Sequence, residues 1–538
     1  MQNASTTLKA ISSILRTLAH APLAAAALAL LPVCSALAGE WRYTNLTSID
    51  IGEGGNFRGT GTLTHSDAVW ELKITVIGKA FAVIGVNNKS TSNANVPLPL
   101  DDAIAGGYRI VDIKPSAFAK TLRMASVTIP ASVTNIGSSA FSNCKDLTRV
   151  EIPAGVVEIG EFAFAWCDAL SSVTLQEGVA SIGNHAFYGC AMSGIVLPSS
   201  VTNIGKTAFA ACRSLTEVTI PARAAHVGSG AFTGCTKLSS ILVAEDCAAY
   251  TSIDGVLFSS AGRVLVQYPA GRVGAYAIPA GVTEVGEAAF KDCEGLAGVT
   301  FPAGLAEIGE EAFRGCRALP GAAIPAGVTN IGVCAFRDCT SLSGVTLPVG
   351  ISRIKPETFS GCASLAVMVI PDGVTGIGES AFYKCSNLAS VAVPASVDRI
   401  ARGAFYQCSS LRRVALPAGL AAIQPYTFYG CTRLAAMVIP DSVESIGKEA
   451  FAGCVSLTRL LLPSRIARIG EKAFRGCTNL SDIKPHNISA VIAKDAFDGC
   501  ASLRAPSGRP AANEGMRKIW LSAGSKWVQM LMDAGAAD

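Results

Sequence analysis

A phenylalanine recurs about every 23 residues along most of the chain, and this period limits the folds that the chain can adopt. The series comprises Phe118, Phe141, Phe164, Phe187, Phe209 and Phe232, and then Phe290, Phe313, Phe336, Phe359, Phe382, Phe405, Phe428, Phe451, Phe474 and Phe497. A period of 20 to 50 residues is typical of solenoids, in which each repeat buries its apolar face only against its neighbours. The 538 residues therefore predict one extended array of about 16 repeats.

Each repeat follows the pattern V-x-x-I-G-x-x-A-F-x-x-C-x-x-L-x-x-V-x-I-P, as at 133–153. Val150 and Ile152 are β-branched residues two positions apart, which predicts a short strand. Pro153 ends it because proline cannot donate to a β-ladder. Stacked repeats would therefore form a long parallel sheet.

The other side of the repeat shows helical spacing over a few residues, for example at Ala140, Phe141 and Cys144. We expect a short helical or 3-10 turn here, in a strand-dominated α/β solenoid. Gly137 would be its N-cap, without needing positive φ, and the glycine that often precedes the cysteine would end it.

These residues resemble the BspA-like, or Treponema pallidum-type, leucine-rich repeat over about 111–504. The irregular segment near 244–279 resembles that family's hairpin-bearing variant, with Asp254 and Gly255 as turn residues. Members of the family occur on microbial surfaces and as secreted proteins. The resemblance implies adhesion to macromolecules of a host or a neighbouring cell.

Fifteen of the 18 cysteines lie three residues after a repeat phenylalanine. Zinc sites need clustered ligands, and fifteen equivalent residues cannot all be nucleophiles. Disulfides remain an alternative for an exported chain, but side chains of a parallel ladder point the same way. We expect free cysteines packed in the interior, with Cys247 and Cys334 as the better candidates for a surface thiol or a bridge.

The sequence contains no recognisable catalytic motif, and it predicts no enzyme, metal or cofactor. His185 and His226 fall at variable positions that we expect to face solvent. A net charge of +4 gives no electrostatic basis for binding nucleic acid.

Residues 1–38 have the pattern of a signal peptide cleaved after Ala38, which predicts a secreted or cell-surface protein. A membrane anchor at this end is the alternative, and we expect no membrane span after cleavage. Residues 39–110 depart from the repeat and are predicted to form an N-terminal β cap. Residues 505–538 are predicted to be a linker and a short helix, as a frayed tail or cap or as an attachment segment.

The solvent-facing strand position carries only apolar residues from Val369 to Leu461. The candidate partner-binding face comprises Val369, Ala392, Ala415, Val438 and Leu461, with Arg413 and Arg459 beside them. Exposed apolar surface often marks a binding site, although valine and threonine also simply suit a strand. The leading hypothesis is an exported, non-catalytic adhesin or scaffold with a protein or glycan ligand. The alternative is a structural protein of the envelope or matrix that self-associates.

Overall fold

The computed structural model describes residues 41–51, 57–65, 70–77, 80–88, 96–99, 109–484 and 490–503. The predicted signal peptide and the predicted C-terminal segment lie outside these residues. The chain divides into two bodies, which are treated separately below. The N-terminal body comprises 1–235 and 243–249, and the C-terminal body comprises 236–242 and 250–538.

The N-terminal body begins with four antiparallel strands, and the last of them pairs in parallel with the first strand of a ladder. The four strands are Trp41–Ile51, Phe57–His65, Trp70–Ile77 and Ala80–Asn88. The ladder comprises Arg109–Ile113, Asn135–Ile136, Glu158–Ile159, Ser181–Ile182, Asn203–Ile204 and His226–Val227. A second parallel row comprises Val96–Pro99, Met124–Thr128, Arg149–Ile152 and Ser172–Leu175, and Glu217–Ile220 follows it in the sequence.

The C-terminal body contains three consecutive antiparallel strands, and Asp254 and Gly255, both with positive φ, form the turn between the first two. These strands are Tyr250–Ile253, Val256–Ser259 and Val264–Gln267. Short strands then occur at Glu284–Val285, Glu307–Ile308, Asn330–Ile331, Arg353–Ile354, Gly376–Ile377, Arg399–Ile400, Ala422–Ile423, Ser445–Ile446, Arg468–Ile469 and Val491–Ile492. The other row comprises Gly274–Ala277, Leu296–Thr300, Gly321–Ala323, Gly344–Thr346, Val367–Val369, Ser390–Ala392, Arg413–Val414, Ala436–Val438, Arg459–Leu461 and Asp482–Lys484. One further strand, Ser240–Val243, contains residues of both bodies.

The repeat phenylalanines stack on one another in the core of each body. Consecutive rings lie 4.8–5.7 Å apart between centroids and are within 15° of parallel. Phe405, for example, is fully buried between Phe382 and Phe428. This arrangement confirms the prediction of a strand-dominated solenoid with about 16 turns.

The segment opposite the strands is a run of hydrogen-bonded turns, and the described residues contain no helix. The expectation of a short helical or 3-10 element was therefore wrong. Two residues in most repeats, such as Ser139 and Asn143, adopt the left-handed conformation, which interrupts a helix. The Phe141 N–H donates to the Ala163 carbonyl of the next repeat at 2.7 Å, so these turns are joined across repeats. We call this part of the repeat the turn row.

The glycine of the repeat's I-G pair is also not an N-cap. A Cβ on Gly160 would lie 2.6 Å from the carbonyl carbon of Gly137, the equivalent residue of the preceding repeat. Neither glycine has positive φ, as expected from the sequence. The glycine therefore permits the backbones of adjacent repeats to approach closely.

Candidate functional site

The longer strands place alternate side chains in the core and in solvent, which creates the outer surface that we call the sheet face. In Ala436–Val438 the central Met437 is buried, whereas Ala436 and Val438 are exposed. Arg459–Leu461 repeats this arrangement around the buried Leu460. Because successive side chains of a strand point to opposite faces, the first and third residues of such a strand face outward. Stacked strands therefore form two outward rows in each body.

All seven residues of the predicted partner-binding face are exposed on the sheet face. Val438 is 71% exposed and Val369 is 64% exposed, while Leu461 is 40% exposed. Ala392, Ala415, Arg413 and Arg459 are also in the exposed class. Val438 pairs in register with Leu461, and Val369 pairs with Ala392, so the apolar residues are neighbours along the sheet.

Most of these residues line two shallow grooves. A groove of about 640 Å³ is lined by Arg413, Ala415, Val438, Arg459 and Leu461, together with residues between them. A second groove, of about 850 Å³, includes Val369 in its lining. Ala392 lines neither groove, although it pairs in register with Val369.

Sequence reasoning missed the floor of the larger groove. Gly321 and Gly344 occupy the outward position on adjacent strands, and they pair in register. A Cβ on Gly344 would meet nothing within 4 Å, so the absence of a side chain at this glycine leaves open space. Glycine within a strand often marks a place where another molecule approaches closely, and this signal was present in the sequence.

The two grooves lack acidic lining residues but differ in positive charge. Neither lining contains an aspartate or a glutamate, whereas Arg413 and Arg459 line the smaller groove. Arg413 pairs in register with Ser390, and Arg459 pairs with Ala436 and Asp482. The apolar surface of the smaller groove therefore has cationic groups beside it.

The repeat cysteines lie in the interior as free thiols, which confirms the predicted ladder. Burial raises the pKa of the Cys212 thiol to about 12, so that thiol is protonated at neutral pH and is a poor nucleophile. Cys247 is half-buried. Cys334 is only 8% exposed, so its predicted surface position was wrong.

The two histidines at variable positions differ in environment. His226 is exposed, as predicted. His185 is half-buried and stacks on Phe162 at 4.4 Å, so the expectation of a solvent-facing side chain was incomplete. Over the described ranges, no group of three potential metal-ligating side chains lies close enough to hold an ion. No helix with the length and apolar character of a membrane span occurs in the same residues.

Comparisons with known proteins identify one family and several similar folds. A family model described as "BspA type leucine rich repeat region (6 copies)" matches residues 111–238, 158–264, 272–389 and 375–504. The chain matches no curated protein.

Three solved structures illustrate the similarity. A leucine-rich repeat protein from Eubacterium ventriosum is 24% identical with a TM-score of 0.54, covering 77% of this chain and 95% of that one. A leucine-rich cell surface protein from Faecalibacterium prausnitzii is 25% identical with a TM-score of 0.41, covering 68% and 94%. A leucine-rich repeat protein of T. pallidum is 30% identical with a TM-score of 0.29, covering 36% and 82%. The first of these shares the solenoid fold.

Proposed function

The chain belongs to the BspA type leucine-rich repeat family, and we propose that it is an exported, non-catalytic binding protein that acts as a cell-surface adhesin or an interaction scaffold. Its ligand would be a protein or glycan on a host or neighbouring cell. Export is supported by the predicted signal peptide at residues 1–38.

The observation that carries this proposal is the exposed apolar row at the C-terminal end of the sheet face. Val369, Val438 and Leu461 point into solvent, while the core beneath them is already complete. Folding therefore does not require these side chains to be apolar. Apolar side chains in such positions favour contact with another molecule.

The surroundings of the row indicate the chemistry of the ligand. Arg413 lies beside Val438 and Leu461 in one groove, and its guanidinium suits an acidic group at the edge of an apolar contact. Side chains on strands are held more firmly than side chains on loops, which favours a preformed site.

The experiment compares wild-type residues 39–538 with V369K, V438K and L461K in pull-downs against extracellular-matrix proteins and whole cells. The V196K variant is a matched control because Val196 is 84% exposed at the equivalent position of a repeat in the N-terminal body. We expect the first three variants to fold normally and to lose a ligand that V196K retains. Retention of every ligand by folded V369K, V438K and L461K would contradict the proposal.

The same apolar row would also suit a second copy of the chain, as in a self-associating structural protein. Light scattering over a range of concentrations separates this alternative from the adhesin. A mass that grows with concentration in the wild type but not in V438K would favour self-association. A constant mass in both, with ligand capture, would favour the adhesin or scaffold.

A further inference from the structure

The turn row of the N-terminal body contains a cluster of four aromatic side chains in two adjacent repeats. The ring of Phe162 lies 5.6 Å from that of Trp166 and 4.4 Å from that of His185, with interplanar angles of 10° and 13°. Tyr188 is tilted against Trp166 at 5.7 Å and against His185 at 6.1 Å. The sequence pattern of the repeat does not require any of these rings.

The equivalent positions of the neighbouring repeats carry small or polar residues. The positions of Phe162 and His185 are taken by Ser116, Ser139, Thr207 and Gly230, and those of Trp166 by Lys120, Asn143, Gly189, Ala211 and Gly234. The aromatic cluster is therefore specific to one place in this body.

Three of the four residues have an unfavourable backbone conformation. Phe162, Trp166 and His185 have φ values of 55°, 58° and 56°, in the left-handed region. Bulky side chains are rarely found there, whereas glycine adopts it without strain. The same two positions are left-handed in most repeats, so the turn row imposes this conformation and the rings are placed here despite it.

The following repeat covers part of the cluster, and Trp166 remains exposed. His185 covers one side of the Phe162 ring, and Trp166 lies 3.8 Å from the place where a Cβ on Gly189 would be. On the other side the equivalent residues are Ser139 and Asn143, which have no rings. Trp166 is 44% exposed, which is consistent with an uncovered indole face.

The backbone holds the rings in a fixed arrangement. The Trp166 N–H donates to the Tyr188 carbonyl at 2.7 Å, and the Phe162 N–H donates to the Asn184 carbonyl at 2.9 Å. The site is therefore built on the bonded turn row, and little ordering would be needed when a ligand binds.

We propose that Phe162, Trp166, His185 and Tyr188 form a carbohydrate-binding platform for the neutral pyranose rings of a glycan. The C–H face of a pyranose ring packs on an aromatic face, and the exposed indole of Trp166, which is stacked on Phe162, offers such a face. The adjoining Ser139 and Asn143 supply uncharged donors and acceptors for sugar hydroxyls. This platform belongs to the turn row of the N-terminal body, whereas the candidate partner-binding face belongs to strands of the C-terminal body, so the inference is independent of that face.

The two charged residues that follow Cys144 and Cys167 are paired with each other. Lys145 forms an ion pair with Asp168 at 3.4 Å, so these two opposite charges are directed at each other. A nucleic acid strand would also stack on aromatic rings, but it requires a positively charged groove along its backbone.

The test uses the full chain in affinity electrophoresis through gels that contain hydroxyethylcellulose, xylan, galactomannan or soluble starch. The variants W166G and F162S introduce the residues found at the same positions in neighbouring repeats, namely Gly189 and Ser139, so that folding is preserved. We expect at least one polysaccharide to retard the wild type, and each variant to lower the association constant by about ten-fold or more.

The matched control is Y406S in the C-terminal body. Tyr406 belongs to the same turn row, but Tyr383 and Tyr429 stack on its two sides at 5.0 and 4.6 Å. We expect Y406S to bind polysaccharide as the wild type does. The tryptophan emission of the wild type should also shift at saturating polysaccharide, and W166G should lose that shift.

The inference is overturned if none of the four polysaccharides retards the wild type, or if folded F162S and W166G are retarded as strongly as the wild type. It is also overturned if V438K abolishes the retardation while F162S retains it, because the sheet face would then be the glycan site.

Discussion

The thiol of Cys212 donates a hydrogen bond to the carbonyl oxygen of Phe187 in the preceding repeat, with 3.1 Å between sulfur and oxygen. The same bond occurs at 3.0–3.2 Å in thirteen other repeats. Cys293 differs, because its sulfur lies 3.9 Å from the Tyr268 carbonyl. The repeat cysteine therefore fills space in the core and also provides a donor that alanine or valine would lack.

The first prediction concerns this double role. Cys339 is fully buried, and its sulfur lies 3.0 Å from the Phe313 carbonyl oxygen. We expect Cys339→Ala to lower the free energy of unfolding by about 1–2 kcal/mol, through a small cavity and a lost hydrogen bond. Urea unfolding followed by circular dichroism measures the change.

The control for this prediction is Cys247→Ala. Cys247 is half-buried, and its sulfur lies 3.7 Å from the Ala224 carbonyl oxygen. We expect a change within about 0.5 kcal/mol. A larger loss in Cys247→Ala than in Cys339→Ala would show that the ladder position has no special structural role.

The second prediction is a loss of stability at alkaline pH. Burial raises the pKa of the Cys339 thiol to about 12, while an unfolded thiol has a pKa of about 8.5. The folded chain therefore binds more protons than the unfolded chain above about pH 8.5, and stability falls as pH rises towards 12. Each such thiol contributes up to about 1.4 kcal/mol per pH unit, so a ladder of them gives a steep fall.

Urea unfolding midpoints at pH 7.5, 8.5, 9.5 and 10.5, with reductant present, test this expectation. The midpoint should be nearly constant up to pH 8.5 and should then decline. The Cys339→Ala variant should show a shallower decline than the wild type. A constant midpoint from pH 8.5 to 10.5 would contradict the assignment of raised thiol pKa values.

The parts of the fold that could be predicted from the sequence are the buried positions that recur in every repeat. Phe141, Cys144 and Ile152 recur at fixed intervals because every repeat contributes the same inward positions to one core. The two-residue strands, such as Asn135–Ile136, were missed because they are too short to show a periodicity of their own.

The turn row was misread because local spacing does not reveal bonds between repeats. Ala140, Phe141 and Cys144 have helical spacing, but the Phe141 N–H bonds to Ala163 in the next repeat. The site shows a similar division. The exposure of Val438 could be predicted from the alternation of buried and exposed side chains along a strand. The groove over Gly344 exists because glycine has no side chain.

The third prediction concerns the left-handed residues of the turn row. Gln407 has a φ of 55°, and eight repeats carry glycine at the same position. We expect Gln407→Gly to raise the free energy of unfolding by about 1 kcal/mol because it removes the strain of the left-handed conformation. Ala435→Gly is the control, at an exposed position outside the left-handed set, and it should lower stability by about 0.5–1 kcal/mol. Destabilisation by both variants would argue against strain at Gln407.

The fourth prediction concerns how far a defect in the phenylalanine stack extends. Phe405 is fully buried, with Phe382 at 5.4 Å and Phe428 at 5.5 Å. We expect Phe405→Ala to lower the free energy of unfolding by about 3–5 kcal/mol, and Phe405→Leu to lower it less because leucine fills more of the space.

Each repeat of a solenoid contacts only its neighbours, so the damage caused by Phe405→Ala should remain local. Amide hydrogen exchange should accelerate in the repeats of Phe382, Phe405 and Phe428, where the stacked rings lose a partner. The repeats of Phe290 and Phe313 are separated from the substitution by intact rings, and they should exchange at wild-type rates. Equal acceleration in all these repeats would instead mean that the C-terminal body opens as a single cooperative unit.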